Sequence, residues 1–417
     1  MARPKLDQSG DSPRRKDKPK RRRRRERKAK TPKPPKVPRA RKPRKARGLG
    51  MGFLRGPSGW PYLLVPFIPI AVALKLAGAS ESIVFVTSAL GVIPTAALMG
   101  RATEELAARS GPGIGGLLNV TFGNAPELII ALFALQKGLH EVVKASIVGS
   151  ILGNILLVLG AAMFVGGIGR KEQNFRRQSA NAQSSMLFLA VTAMVMPAVF
   201  ELARGHSLPG VDAELIHFGS SIESLSIVVA CILIISYVSG LYFSLKTHRD
   251  VFNPPYADDE DSGLGWSTRR SVLMLAIAGA AVGLMSEILV GSIEQASHSI
   301  GISEFFVGAI VIAIVGNAAE HWVAVLVARK DKMDLAVNIA IGSAAQVALF
   351  VAPVLVLTSL FLGPFPMPLV FNGFEVAAML IAVIIANVVT NEGESTWLEG
   401  LQLLFVYAVL AITFGFA

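Results

Sequence analysis

Eleven stretches of the chain are apolar, most of them long enough to cross a bilayer, and nothing else in the sequence constrains the fold so strongly. They lie near 61–78, 82–108, 112–136, 141–168, 184–202, 219–245, 270–297, 304–328, 334–361, 367–388 and 397–416. A bilayer core is spanned by about 20 helical residues. Backbone inside lipid must also satisfy its own hydrogen bonds, which helices do within one segment. The expected fold class is therefore an all-α polytopic membrane protein with about 11 transmembrane helices.

The segment before the first run is of another kind. Residues 1–50 hold 23 of the 41 Lys and Arg residues against four acids, Asp7, Asp11, Asp17 and Glu26, and prolines recur through it. Such a segment cannot bury an apolar face and is expected to be a disordered basic cytoplasmic arm. Its place before the first span favours contact with anionic lipid over nucleic acid, which is not expected as a partner. Without the arm, the net charge of +12 becomes −7 for the body. The single Cys231 sits within an apolar run and excludes an intrachain disulfide. No secretory signal is expected, because about fifty polar residues precede the first apolar run.

Charge also orients the body. With the arm inside, 14 of the 18 basic residues beyond it fall in cytoplasmic loops, and only Lys75, Lys137, Lys144 and Arg204 fall outside. An odd number of spans then places the C-terminus outside. The long polar interruption, 246–268, carries the acidic run Asp258 to Asp261 and leaves five spans on either side of it once the first run, within 51–80, is set apart. The acidic run is read as a solvated loop, with a cytosolic calcium sensor as the alternative. Units 81–245 and 269–417, each of five helices, must enter the membrane in opposite senses, which is the arithmetic of an inverted repeat.

The residues support that arithmetic. Gly123 to Ser150 aligns with Gly316 to Ser343 at a constant offset of 193 without gaps, with eight of 28 positions identical. About two would be expected by chance, and the matches are Gly123/Gly316, Asn124/Asn317, Glu127/Glu320 and Ser150/Ser343 among others. Glu141 and Asp334 correspond as acids.

A carboxylate within a span costs roughly 2.5–3.5 kcal/mol on insertion scales and reads as functional. Two of them related by an inverted repeat are expected to meet near the midplane. Gly-Asn before each Glu should weaken the helix and free backbone carbonyls. Each Asn lies three residues before its Glu, on the same helical face. Ser150, Ser343 and Gln346 add neutral oxygens from the following spans. Carboxylate, amide, hydroxyl and carbonyl oxygens, with no Cys or His cluster, suit a hard cation, and Ca2+ accepts such a flexible oxygen set better than Mg2+ does. When calcium leaves, two facing and poorly solvated carboxylates should take up protons.

At these residues the chain resembles the Ca2+/H+ (cation/proton) exchangers of the calcium/cation antiporter superfamily. The likeness runs from about Arg101 to the end. It includes ATEELAARSGPGIGGLLNVTFGNAPELIIALFAL, SIVGSILGNILLVLG, SEFFVGAIVIAIVGNAAEH, KDKMDLA, IGSAAQVALFVAPVLVL and GESTWLEGLQL. The resemblance implies an eleven-helix fold with its first helix outside the repeats, Ca2+ and H+ as transported substrates without a cofactor, and Glu127 and Glu320 as the principal cation and proton carriers. It also implies oxygens from the Gly-Asn-Ala segments around Gly123 and Gly316, and a bacterial inner membrane as the location. The long basic arm departs from the family's usual pattern.

Glu104 and Glu287, ahead of the two site carboxylates, have two equal readings: lining the cation path, or capping polar contacts near a helix end. His321 lies on a different helical face from Glu320 and reads as a packing residue. The nearest competing function is Na+/Ca2+ exchange on the same fold. Channels rarely use inverted repeats, and no GxSxG, HExxH or GxxxxGK[ST] pattern supports a membrane enzyme or an ATP-driven pump.

Overall fold

The structure is a computed structural model, and it describes residues 59–211, 220–247 and 265–417. The expectations for the basic arm and for the acidic run Asp258 to Asp261 lie outside the described residues.

Each of the eleven apolar runs is helical. In chain order the helices are α1 (Trp60–Leu76), α2 (Glu81–Ala107), α3 (Gly111–Gly123), α4 (Ala125–Gln136), α5 (His140–Gly167), α6 (Arg177–Ala203), α7 (Ser221–Thr247), α8 (Thr268–Gly291), α9 (Ile293–Ile300), α10 (Glu304–Arg329), α11 (Met333–Thr358), α12 (Gly373–Glu392) and α13 (Trp397–Phe416). Among the described residues nine are individually long and apolar enough to span a bilayer, and the bent pair α3 and α4 makes a tenth. The first run forms a shorter helix than a full span.

Helix ends follow local chemistry. Ser267 and Ser303 accept hydrogen bonds from the backbone of Arg270 and Phe306, and Asn372 with Glu375 and Thr396 with Glu399 form capping boxes that start α12 and α13. These caps satisfy amides that would otherwise lack partners at the helix starts.

Burial separates the helices into layers. In α5 and α11, which correspond in the two repeats, 83% and 78% of the most apolar window is buried, against 22% in α13 and 28% in α7. The first pair forms the centre; α7 and α13 present Ile232, Ile235, Phe405 and Val409 outward, as lipid-facing helices do. Both central helices contain a π-helical turn, at Gly153–Val158 and Val347–Val351, and such turns recur at functional positions.

Loops that the charge pattern assigns to one side gather at one end. Gln173–Asn174 pairs antiparallel with Glu394–Ser395. Gln173 donates to the Ala328 carbonyl at 2.9 Å, Arg170 lies 3.6 Å from Asp331, and Arg176 lies 3.7 Å from Asp334. At this same end the Glu105 carboxylate accepts from the backbone of Trp266. Loops assigned to the other side meet at the opposite end, where Gly138 packs on Pro364.

Candidate functional site

The two carboxylates of the repeat face one another's glycines. A Cβ placed on Gly123 would stand 3.4 Å from Oε1 of Glu320, and one placed on Gly316 would stand 3.2 Å from Cγ of Glu127. Glycine at both positions lets each carboxylate approach the backbone of the opposite half. Glu127, Asn124, Asn317, Ser150 and Ser343 are all buried.

Hydrogen bonds tie the halves crosswise. Asn124, from the first half, donates to Oε1 of Gln346 at 2.6 Å, and Asn317, from the second, donates to Oγ of Ser150 at 3.3 Å. Ser343 donates to Glu320 at 2.8 Å. The residues expected at the site, Gly123, Asn124, Glu127, Ser150, Gly316, Asn317, Glu320, Ser343 and Gln346, therefore meet in one polar centre within an apolar bundle.

Three buried acceptor oxygens in this centre, Oδ1 of Asn124, Oε2 of Glu127 and Oδ1 of Asn317, have no donor among the described residues. Buried acceptors are normally satisfied. A set of oxygen acceptors with donors already committed elsewhere matches what a hard cation requires. Among the described residues no three His, Cys, Asp or Glu side chains cluster tightly enough to hold a metal. A bound cation would accordingly depend on amide, hydroxyl and backbone oxygens beside the two carboxylates.

The halves differ in backbone. The first is broken at Asn124, with α3 and α4 inclined at 43°. The corresponding Gly316 and Asn317 lie inside the continuous helical stretch Ala313–Arg329. The expected local weakening thus occurs in one half only. Proline explains it: Pro126 lacks an amide hydrogen and crowds the preceding turn, whereas its counterpart is Ala319. In the second half the irregularity comes earlier, as a π-helical turn at Val307–Ile312.

A cavity of about 540 Å³ borders Glu320, Ser343 and Gln346 and runs to the end of the bundle that carries the arginine-rich loops. Glu104 lines it. Glu287 is exposed on α8 and does not line it. Asn119, Arg101 and Asn338 also line the cavity and were not singled out from sequence. Asn338 accepts from Ser179 and Gln183 of α6; a lone Asn or Gln within an apolar run was the available signal. Asn154, one turn beyond Ser150, is buried, and neither of its side-chain polar atoms has a partner among the described residues. His321 lies outside the cavity lining. A second cavity of about 550 Å³ lies at the opposite end, beside His140 and Glu141, and none of the site residues lines it.

Known proteins match this chain closely. The family described as sodium/calcium exchanger protein matches residues 81–246 and 270–416. The Ca(2+)/H(+) antiporter of Synechocystis sp. is 43% identical over 372 residues, covering 85% of this chain and 96% of its own. The Ca(2+)/H(+) antiporter ChaA of Bacillus subtilis is 44% identical over 355 residues, covering 84% and 97%. The solved structure of native YfkE superimposes with a TM-score of 0.72 at 40% identity, covering 86% of this chain and all of that one. The H+/Ca2+ exchanger CAX shares the fold, with a TM-score of 0.64 at 16% identity. The chain belongs to the sodium/calcium exchanger protein family, among the Ca2+/H+ antiporters.

Proposed function

We propose that this protein is a secondary antiporter that exchanges Ca2+ for H+ by alternating access through the site between Glu127 and Glu320. The observation that carries this reading is the crossed pair of carboxylates, each against the other half's glycine, with unpaired buried oxygens around them. Calcium neutralises the pair when the site faces one side, and protons neutralise it when the site faces the other. The empty, doubly charged site is too costly in a low dielectric to reorient, and this couples the two fluxes.

The proposed organisation is a cytoplasmic basic arm at 1–50, a first helix at 51–80 outside the repeats, a five-helix repeat at 81–245, a cytoplasmic linker at 246–268 and a second five-helix repeat at 269–417. Similarity to proteins of Bacillus and Synechocystis supports a bacterial cell membrane. The gathering of the arginine-rich loops at one end supports a cytoplasmic N-terminus and an external C-terminus. On this orientation the cavity at Glu320 opens to the cytoplasm. The arm serves orientation and contact with anionic lipid, and deleting residues 1–45 is expected to leave the exchange rate unchanged; loss of exchange in a correctly inserted truncation would contradict this.

Everted vesicles test the coupling directly. Calcium uptake is expected to follow an imposed proton gradient and to collapse when that gradient is dissipated. Uptake indifferent to protons but dependent on opposing sodium would replace this reading with Na+/Ca2+ exchange.

A further inference from the structure

At the end away from the arginine-rich loops, α5 and the first turns of α10 press backbone against backbone. A Cβ on Gly149 would stand 2.0 Å from the carbonyl oxygen of Ala309, and one on Gly308 would stand 2.7 Å from that of Val142. Neither gap admits a methyl group.

The offset of 193 continues upstream of the aligned segment, pairing Gly115 with Gly308 and Gly116 with Ala309, just as it pairs Gly149 with Gly342 and Val142 with Leu335. The counterpart of the closed contact is thus α3 against α11, through Gly116 with Gly342 and Gly115 with Leu335. In this structure that contact is open. Gly342 faces the side chain of Gln183, whose Oε1 would lie 3.4 Å from an added Cβ, and Gly116 faces the end of the Leu245 side chain, whereas Gly115 already packs on α2, where an added Cβ would stand 2.3 Å from the carbonyl oxygen of Ala107. Leu335 is exposed. The cavity that borders Glu320 occupies the space between, with Asn119 of α3 on one wall and Asn338 and Ser343 of α11 on the other.

We propose that Gly116 and Gly342 are the contact residues of a second seal, which closes the cytoplasmic cavity when the Gly149 and Gly308 seal opens. The inference rests on the exchange reading above and names the surfaces that such a cycle brings together. Small residues are what close helix approach in a membrane requires, and Gly116 and Gly342 supply them on the two helices, each facing only the end of a flexible side chain here. Because the two seals are built from repeat-related segments, they offer the protein two discrete packings of similar kind.

The clean variant is Gly342→Ala. Its methyl group reaches Gln183 at ordinary contact distance here, and alanine suits a helix better than glycine. In the closed seal it would strike the Gly116 carbonyl as a methyl at Gly149 would strike that of Ala309. Radiolabelled calcium binding is expected to be retained while exchange falls by roughly tenfold to a hundredfold. Wild-type exchange in this variant would overturn the proposal.

A second measurement uses cysteines in a Cys231→Ser background. Asn338→Cys reports access to the cavity by thiol labelling, and the double variant Gly116→Cys, Gly342→Cys reports the seal by disulfide formation. Conditions of calcium and pH that protect Asn338→Cys should also be those that cross-link the pair, and the cross-linked protein should stop exchanging. Protection without cross-linking would overturn the seal alone. Labelling that never changes under any condition would overturn alternating access itself, and the seal with it.

Discussion

Glu320→Gln is expected to reduce calcium-for-proton exchange to background while leaving the protein inserted and folded, and Glu127→Gln is expected to do the same. The reason is charge. With both carboxylates present, bound Ca2+ is matched by two negative charges, and the complex can pass through a low-dielectric intermediate. With one replaced by an amide, calcium carries an uncompensated positive charge through that intermediate, and the calcium-free site needs one proton where it needed two. Loss of one member of a buried charge pair costs about 2–5 kcal/mol, a fall of at least roughly thirtyfold. Geometry is largely kept, because Ser343, which donates to Glu320 at 2.8 Å, can donate equally to an amide oxygen, and Gly123 and Gly316 still admit the side chains. Calcium flux and proton counterflow in proteoliposomes, with folding checked by size-exclusion profile and melting temperature, provide the measurement. Retained exchange in either folded variant would remove that residue from the carrier role.

The two site carboxylates were legible in the sequence because they are costly in lipid and recur with their neighbours at one offset. Ser150, Ser343 and Gln346 followed from their position one span later. What the repeat could not reveal is where the two halves differ. A single Pro126 breaks the first half at Asn124, while Ala319 leaves the second helical, so motifs that read alike have different backbones. Glu104 and Glu287 were equal candidates by spacing alone, and only the packing of α2 against its neighbours puts Glu104 on the cavity. Asn338 and Asn119 lacked a repeat counterpart of matching chemistry and so carried no symmetry signal, since their partners in the offset are Ala145 and Ile312. The eleven runs mapped onto helices because period and length decide helix formation in lipid. The brevity of the first helix was legible as well, because its run, 61–78, is the shortest of the eleven, and the helix stops at Leu76 near its end.

Lys144 was among the four basic residues that charge counting places on the outer side, and in the structure it is buried. Its ammonium makes an ion pair with Glu141 three residues earlier and donates to the carbonyl of Val370 at 3.0 Å. The fully buried Glu375, at the start of α12, lies within the electrostatic reach of both Lys144 and Glu141. One of its oxygens accepts from the backbone of Asn372 at 2.8 Å, and the other has no partner among the described residues. Lys144→Met keeps the length and apolar stem of the side chain but removes the ammonium that pairs with Glu141 and lies near Glu375, leaving the two largely buried carboxyl groups without it. Breaking a buried ion pair by removing one partner costs about 3–5 kcal/mol, a large fraction of the stability of an ordinary fold. The expected outcome is a marked fall in melting temperature and in the yield of folded protein in detergent. Because the effect is one of uncompensated charge, Glu141→Gln on the same chain should recover much of the loss. A Lys144→Met protein as stable as the wild type would show that Glu141 and Glu375 do not depend on this ammonium. Failure of Glu141→Gln to restore stability would instead assign the loss to the hydrogen bond with Val370, which joins α5 to the segment before α12.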